Sequence, residues 1–281
     1  MKAVVQTTVG DPSTLLVAEG VELPYPMGRE ILIRVQAAAL NRLDLYQAKG
    51  SPPPPGTSAI LGIEVCGTVI ERGADCVLDF VVGEAVMALL SGGGYAEFCV
   101  ADERTVFRAI PSLSFPQLAA IPEAFLTAYQ LCFFVAKLEA GDSVLLHAAA
   151  SSVGQAAIQM LVRKGIKVFA TSRSEAKLEV CRALGAHAFL PSQPIDGGGS
   201  GGGGKAQIKF AEAVKRANGG VGVTAVLCPV GADYVTENLE VLAPEVGMLN
   251  IAQNCSILLI ASKFNIKKML HPINSSHPKN K

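Results

Sequence analysis

The 281-residue sequence has no tryptophan, no excess of either charge and no cysteine spacing that suits a metal. Its 24 basic residues balance 24 acidic ones, so no strongly basic surface is expected and we expect no binding to nucleic acid. The seven cysteines form no C-x-x-C pair, which predicts buried thiols in a reducing compartment. Without a signal peptide or a long apolar run, we expect a cytoplasmic protein that contacts no membrane.

The composition favours a large core and more than one domain. Half of the residues are hydrophobic and only 17% are charged, and a chain of this length favours two domains. The predicted strands are Lys2–Gln6, Glu30–Ala38, Gly67–Glu71, Ala85–Leu89, Ala96–Val100, Val144–His147, Ile166–Thr171, Ala186–Leu190 and Val223–Val230. The predicted helices are Asn41–Lys49, Pro116–Ala128, Val153–Lys164, Ser174–Leu184 and Gln207–Ala217.

These elements change character near residue 120. Before it, short strands are divided by glycine and proline, which predicts an irregular, β-rich domain over residues 1–120. After it, strands and helices alternate, which predicts a Rossmann-type, doubly wound parallel sheet over residues 121–262. The predicted fold class is therefore α/β, with a flexible glycine-rich loop at 197–204 and a basic tail at 263–281.

The turn after Val144–His147 is the most informative segment. The apolar strand breaks into small residues, and a helical pattern follows. Such a turn directs backbone N–H groups and the positive end of a helix dipole at one point, which suits a pyrophosphate. The turn lacks G-x-G-x-x-G, so an ordinary βα turn is an equal alternative. On the first interpretation, the cofactor contacts are Ala150, Ser151, Ser152 and Val153.

Five motifs follow one another along the chain. They are Ala39–Asp44, Leu61–Gly67, Leu90–Glu97, Ala119–Glu123 with Leu126–Ala128, and the turn segment Val144–Gln159. Together they resemble the zinc-independent quinone oxidoreductases of the medium-chain dehydrogenase/reductase superfamily, over roughly residues 1–247. The resemblance implies a GroES-like catalytic domain at 1–120 and an NADPH-binding Rossmann domain at 121–262.

The resemblance also implies an activity without a metal. Zinc-using relatives carry Cys and His where this chain has Asn41 and Ile63, and isoleucine cannot ligate a metal. Alcohol oxidation without a Lewis acid lacks a means of stabilising the alkoxide, whereas quinone carbonyls accept a hydride readily. The expected reaction is hydride transfer from NADPH to a small-molecule quinone, with no metal ligands.

The substrate residues implied by the resemblance lie in the first domain. Asn41, Asp44 and Tyr46 match the quinone pocket, where Asn41 and Tyr46 could hydrogen-bond the quinone carbonyls or the nicotinamide ribose. Thr127 would approach the nicotinamide or the phosphates. A different interpretation of Tyr46 is a core aromatic on a helix face.

The resemblance also implies which cofactor is used. Lys177 and Ser174 match the family's ligands for the 2′-phosphate, and Arg173 could add a second cation. Since no acidic residue directly ends the second Rossmann strand, NADPH is expected in preference to NADH. The alternative for Lys177 is a solvated lysine at a helix start.

Two departures from the family affect these expectations. Ser152 stands at a turn glycine: a positive φ would cost about 1 kcal/mol there, whereas a negative φ would let the hydroxyl bind phosphate. Beyond Gly247 the family pattern ends, so a C-terminally truncated or divergent member without the family's homodimer is expected. The alternatives are a catalytically weak protein that binds NADPH or a partner, and an enoyl-type reductase of the same superfamily.

Overall fold

The computed structural model describes residues 1–190, 192–193, 207–244 and 258–261, and of residues 192–193, 207–208 and 258–261 only the backbone. It divides into two units, Met1–Leu126 and a second that begins at Thr127. The predicted glycine-rich loop 197–204 and the predicted tail 263–281 lie outside the described residues.

The first unit is built on a five-stranded antiparallel sheet. A separate hairpin, β1 (Ala3–Gln6) and β2 (Leu15–Ala18), precedes it in the chain. The sheet consists, in spatial order, of β6 (Phe98–Asp102), β3 (Glu30–Ala38), β4 (Glu64–Arg72), β5 (Ala85–Leu89) and β7 (Val106–Arg108). Its buried face forms an aliphatic core that includes Ile31, Ile33, Val65, Val69 and Val86.

Three helices accompany this sheet. They are α1 (Arg42–Ala48), α2 (Phe115–Ala119) and α3 (Pro122–Tyr129), and α3 continues as a π-helical turn, Gln130–Val135. Helix α1 begins at Asn41, whose backbone N–H donates to Asp44 Oδ2 at 2.7 Å. A short polar side chain followed three residues later by a carboxylate is the pattern that caps a helix N-terminus, so the local sequence sets where α1 starts.

The second unit contains a five-stranded sheet whose first four strands are parallel. In spatial order they are β10 (His187–Phe189), β9 (Lys167–Thr171), β8 (Ser143–Leu146) and β13 (Ala225–Cys228), and β14 (Leu258–Ala261) pairs antiparallel with β13. Every residue of β8 and β13 is buried, as expected of strands covered on both faces. The helices are α4 (Ser152–Arg163), α5 (Glu175–Ala183), α6 (Ala211–Ala217) and α7 (Val235–Val241), and a further strand pair joins β11 (Ser192–Gln193) to β12 (Gln207–Ile208).

The predicted fold class is confirmed. A curled antiparallel sheet is followed by a parallel sheet in which the unit's first strand, β8, lies between β9 and β13, the arrangement of a Rossmann-type fold. Two predicted strands, Glu30–Ala38 and Ala85–Leu89, have the predicted bounds.

Several element boundaries were predicted wrongly. The strand predicted at Ala96–Val100 lies two residues later, at Phe98–Asp102. The helix predicted at Gln207–Ala217 begins only at Ala211, because Gln207–Ile208 pairs as a strand. The helix predicted at Pro116–Ala128 is two helices, since Pro122 starts a new one, a position where its missing N–H is no loss.

The expectation that no segment is long and apolar enough to cross a membrane also needs correction. Among the described residues Phe115–Val135 passes that test by length and composition, and 33% of its most apolar window is buried. Its buried residues include Leu118, Ala124 and Cys132, so part of its apolar character serves packing within the protein.

Helix α4 packs unusually close to the turn that precedes it, at Gly154. A Cβ atom on Gly154 would lie 2.6 Å from the carbonyl carbon of Ala149 and 2.7 Å from its Cα. We expect Gly154→Ala to lower the free energy of unfolding by about 2 kcal/mol, because the backbone shift outweighs the gain in helix propensity. Urea denaturation measures this, with Ser152→Ala as the control at an exposed position two residues away. A Gly154→Ala variant as stable as the control would contradict the close approach.

Candidate functional site

The turn between β8 and α4 is built by hydrogen bonds from Ser151. Its Oγ accepts from Gly154 N at 3.2 Å, and its carbonyl oxygen accepts from Gln155 N at 2.8 Å. Helix geometry leaves the N–H groups of the first turn without acceptors inside the helix, and Ser151 supplies acceptors for only these two. The N–H groups of Ser152 and Val153 thus have no acceptor from Ser151 and point out of the helix N-terminus, a position that suits an anion.

The positive φ in this turn falls at Ala148 (49°), and Ser152 is the first residue of α4. Ser152 therefore has the negative φ of a helical residue, and not the positive φ that would strain a serine. Its side chain is exposed at the helix N-terminus, where a hydroxyl can donate to a phosphate.

The second strand of this unit ends beside the turn. Ala149 N donates to Thr171 O at 3.1 Å, which ties the turn to the end of β9. Beyond Thr171, the side chains of Arg173, Ser174 and Lys177 are exposed around the N-terminus of α5. The one carboxylate there, Glu175, pairs with Arg182 at 2.5 Å. The end of β9 therefore presents exposed cationic and hydroxyl groups.

A buried histidine lies directly beneath the turn. His147 follows β8 and is 3% exposed. Its Nδ1 lies 2.6 Å from Thr171 Oγ1 and its Nε2 lies 2.7 Å from Asn238 Oδ1. Since an amide oxygen only accepts, Nε2 carries the proton and the Thr171 hydroxyl donates to Nδ1. This neutral histidine thereby links β8, β9 and α7.

The environment of His147 keeps it neutral. Its ring meets Phe210 and Tyr234 edge-on, with centroids 4.7 and 4.8 Å away. Burial lowers the pKa of His147 to about 4, and the hydrogen bond to Asn238 opposes that change. Protonation would add a hydrogen at Nδ1, which accepts from the Thr171 hydroxyl, and would place a charge in a buried site, so the network favours the neutral form.

In the first unit, a buried cluster surrounds Asn41. Asn41 Nδ2 donates to Glu64 Oε1 at 2.7 Å, and Glu64 Oε2 accepts from Glu123 N at 2.9 Å. Asp44 Oδ2 accepts from Asn41 N at 2.7 Å and from the Tyr95 hydroxyl at 2.6 Å. We call these five residues the Asn41 cluster. It joins the start of α1 to β4, to α3 and to the loop before β6.

Two carboxylates of the Asn41 cluster are buried: Asp44 is 4% exposed and Glu64 is 2% exposed. Burial raises the pKa of Glu64, while the hydrogen bonds from Asn41 and Glu123 act in the opposite direction. Burial and the bond to Asp44 raise the pKa of Tyr95, which keeps its hydroxyl a donor. Asp44 Oδ1 is buried with no hydrogen-bond partner among the described residues.

The predicted site residues are not all brought together. Asn41 and Asp44 lie in the Asn41 cluster, whereas Tyr46 is 43% exposed and takes no part in it. Thr127 is half-buried on α3. Sequence reasoning did not assign roles to Glu64 and Tyr95, although a charged residue inside the apolar segment Leu61–Gly67 was a visible signal.

Two family models match the chain. "Alcohol dehydrogenase GroES-like domain" matches residues 28–112, and "Zinc-binding dehydrogenase" matches residues 152–270. The described residues contain no group of three or more His, Cys, Asp or Glu side chains placed to hold a metal ion.

The curated relatives are longer than the matched region. The pikromycin polyketide synthase component PikAII of Streptomyces venezuelae is 35% identical over 84% of this chain and 6% of its own length. The quinone oxidoreductase of Homo sapiens is 32% identical over 70% of this chain and 60% of its own length. The chain thus spans less than two thirds of either relative.

Solved structures match over more of their length. The CurK enoyl reductase superposes with a TM-score of 0.73 at 29% identity, over 87% of this chain and 71% of that one. Mycobacterial Rv1454c complexed with NADPH gives a TM-score of 0.73 at 30% identity, over 87% of this chain and 72% of that one. Both quinone oxidoreductases and enoyl reductases are therefore among the proteins that this chain is similar to.

His147 makes the stability of the second unit depend on pH. Its pKa is lower in the folded protein than the usual 6.5, so the unfolded chain binds more protons as the pH falls from 6.5 to 4. The free energy of unfolding should therefore decrease by about 3 kcal/mol over that range from this residue. Chemical denaturation at pH 7 and pH 4.5 measures it. His147→Gln should flatten the dependence, whereas His187→Gln, at an exposed position, should not. Equal slopes in both variants would rule out this role.

Proposed function

Because the chain belongs to the quinone-oxidoreductase-like family of medium-chain dehydrogenases/reductases, a family of oxidoreductases, we propose that it transfers a hydride from NADPH to a quinone. The observation that carries the proposal is the environment of residue 41. Zinc-using relatives have a cysteine ligand there, whereas here an amide is hydrogen-bonded to the buried Glu64. An amide and an isoleucine at the two ligand positions favour a substrate that needs no Lewis acid.

The second unit fits NADPH by its chemistry. The N–H groups of Ser152 and Val153 and the dipole of α4 would bind the pyrophosphate, with Ala150 and Ser151 shaping the turn. Arg173, Ser174 and Lys177 would bind the 2′-phosphate, since all three are exposed at the end of β9. The solved neighbour that carries NADPH supports this assignment.

The first unit would hold the substrate. When bound, NADPH supplies the hydride. Asn41 would hydrogen-bond a quinone oxygen or the nicotinamide ribose, and Asp44 holds the backbone of Asn41 in place. Tyr46, exposed on α1, would contact the other end of the quinone, and Thr127 would approach the cofactor. The hydroquinone anion takes its proton from water, so none of these side chains must act as a strong acid.

An enoyl-type reductase is the second candidate, because an enoyl reductase is among the similar structures. Both candidates use the same cofactor site, and they differ in whether the hydride reaches a quinone or a carbon–carbon double bond conjugated to a carbonyl. A third possibility is a protein that binds NADPH without turnover. For each of these, we propose a cytoplasmic location and a small-molecule partner.

The cofactor site predicts a preference for NADPH over NADH. We expect Lys177→Ala to weaken NADPH binding about tenfold, because one charge-assisted contact to the 2′-phosphate is lost, and to leave NADH binding unchanged. Fluorescence titration measures both affinities. Lys164→Ala is the matched control, since Lys164 caps the opposite end of α4. Equal affinities of the unmodified protein for the two cofactors would overturn the preference.

The substrate assignment is tested by NADPH oxidation with ortho-quinones, para-quinones and an α,β-unsaturated carbonyl compound. Turnover with quinones, reduced at least tenfold in Asn41→Ala, is expected if Asn41 contacts the substrate. Turnover with the unsaturated compound alone would select the enoyl reductase. Tight NADPH binding with no turnover of any acceptor would select the non-catalytic alternative.

A further inference from the structure

Glu64 is a buried carboxylate whose two oxygens both have defined donors. Oε2 accepts from the backbone N–H of Glu123 at 2.9 Å, in the first turn of α3, and Oε1 accepts from Asn41 Nδ2 at 2.7 Å. The residue lies at the start of β4 and is 2% exposed. A side chain that begins a strand and is hydrogen-bonded to the first turn of a helix has little freedom to turn.

This anchoring sets the orientation of the Asn41 amide. A carboxylate can only accept hydrogen bonds, so the nitrogen of the amide must face Glu64. The reverse orientation would set the amide oxygen against the carboxylate. In this orientation Oδ1 faces the backbone N–H of Asp44, as in a capping box, and the second N–H of Asn41 is left for other partners. The half-exposed position of the residue makes that N–H accessible.

The main chain of Asn41 is fixed independently. Its N–H donates to Asp44 Oδ2, and the same oxygen accepts from the Tyr95 hydroxyl. Gly62 makes room for the Tyr95 ring, because a Cβ on Gly62 would lie 2.6 Å from Tyr95 Cδ1. With its backbone held from one side and its amide from the other, Asn41 is preorganised.

We propose that Glu64 is a positioning residue, which holds the Asn41 amide in the single orientation that meets the substrate. The inference rests on the proposed function, in which Asn41 contacts the quinone or the nicotinamide ribose. Glu64 itself touches neither and acts only through Asn41.

The chemistry of glutamine makes this role testable. Glutamine has the shape of glutamate but offers one acceptor and one donor group in place of two acceptors. In Glu64→Gln, if the amide oxygen keeps the bond to Glu123 N, the nitrogen faces Asn41. The Asn41 amide then turns by half a revolution to offer its oxygen, which removes that oxygen from the Asp44 N–H and changes the group presented to the substrate.

The kinetic test is a double-mutant cycle on the 281-residue chain. We expect Glu64→Gln to lower kcat/KM for the quinone about tenfold. In the Asn41→Ala background the same change should have less than a twofold effect, because the amide that Glu64 orients is gone. An undiminished tenfold loss in that background would overturn the proposal, since Glu64 would then act without Asn41.

Glu103→Gln is the matched control. Glu103 is also a buried carboxylate of the first unit and accepts from the backbone N–H groups of Val77 and Leu78. Glu103 also pairs with Arg29 at 2.6 Å, so its variant perturbs the unit at least as much as Glu64→Gln does. Because this perturbation lies away from the Asn41 cluster, it should leave kcat/KM unchanged. A tenfold loss in this control as well would make the effect a general consequence of destabilising the unit and overturn the proposal.

A second measurement does not depend on activity. The side-chain amide resonances of Asn41, assigned by their loss in Asn41→Ala, should shift in Glu64→Gln and stay in place in Glu103→Gln. If the unmodified protein reduces no quinone, the proposed function fails and this measurement alone judges the orientation. Amide resonances unchanged by Glu64→Gln would then overturn the positioning role.

Discussion

The close approach of α4 to the turn after β8 is the constraint on which the second unit depends. Helix α4 can begin directly after the turn only because Gly154 has no side chain to meet Ala149. The same approach brings the helix N-terminus next to the ends of two parallel strands, β8 and β9, which the bond from Ala149 to Thr171 joins. A position that suits an anion thus results from backbone geometry before any side chain is considered.

Beneath this turn, the buried side chains of His147, Thr171 and Asn238 are joined by hydrogen bonds. His147 takes part in two hydrogen bonds, which replace the water that it loses, and its aromatic neighbours fill the rest of the space. Such a network stabilises the fold while it stays complete and neutral. The buried Nδ2 of Asn238, which has no partner among the described residues, is the one donor that this network leaves over.

In the Asn41 cluster, hydrogen bonds likewise replace the water that buried groups lose, and here the buried groups are carboxylates. Two acidic side chains are buried near each other, and each is held by donors from a neighbouring helix start, a neighbouring amide or a tyrosine hydroxyl. Burying a charge is costly unless it is hydrogen-bonded, so this concentration of polar groups in a β-rich unit is best explained by a demand for a rigid polar site. Oδ1 of Asp44 is a buried acceptor of this cluster that has no partner among the described residues.

The sequence by itself determined the fold class, the family and the position of the turn between β8 and α4, because each is recorded in local patterns: alternating apolar residues, small residues at a turn, and five short motifs in order. From the motifs it also predicted Asn41 and Asp44 as substrate residues and Lys177 as a ligand of the 2′-phosphate. Only the tertiary structure decided that the positive φ falls at Ala148, that Tyr46 stands apart, and that Glu64 and Tyr95 support Asn41. Those outcomes depend on which side chains meet across elements distant in the chain, and a hydrogen bond between residues 23 or 51 positions apart leaves no periodic signal in the sequence.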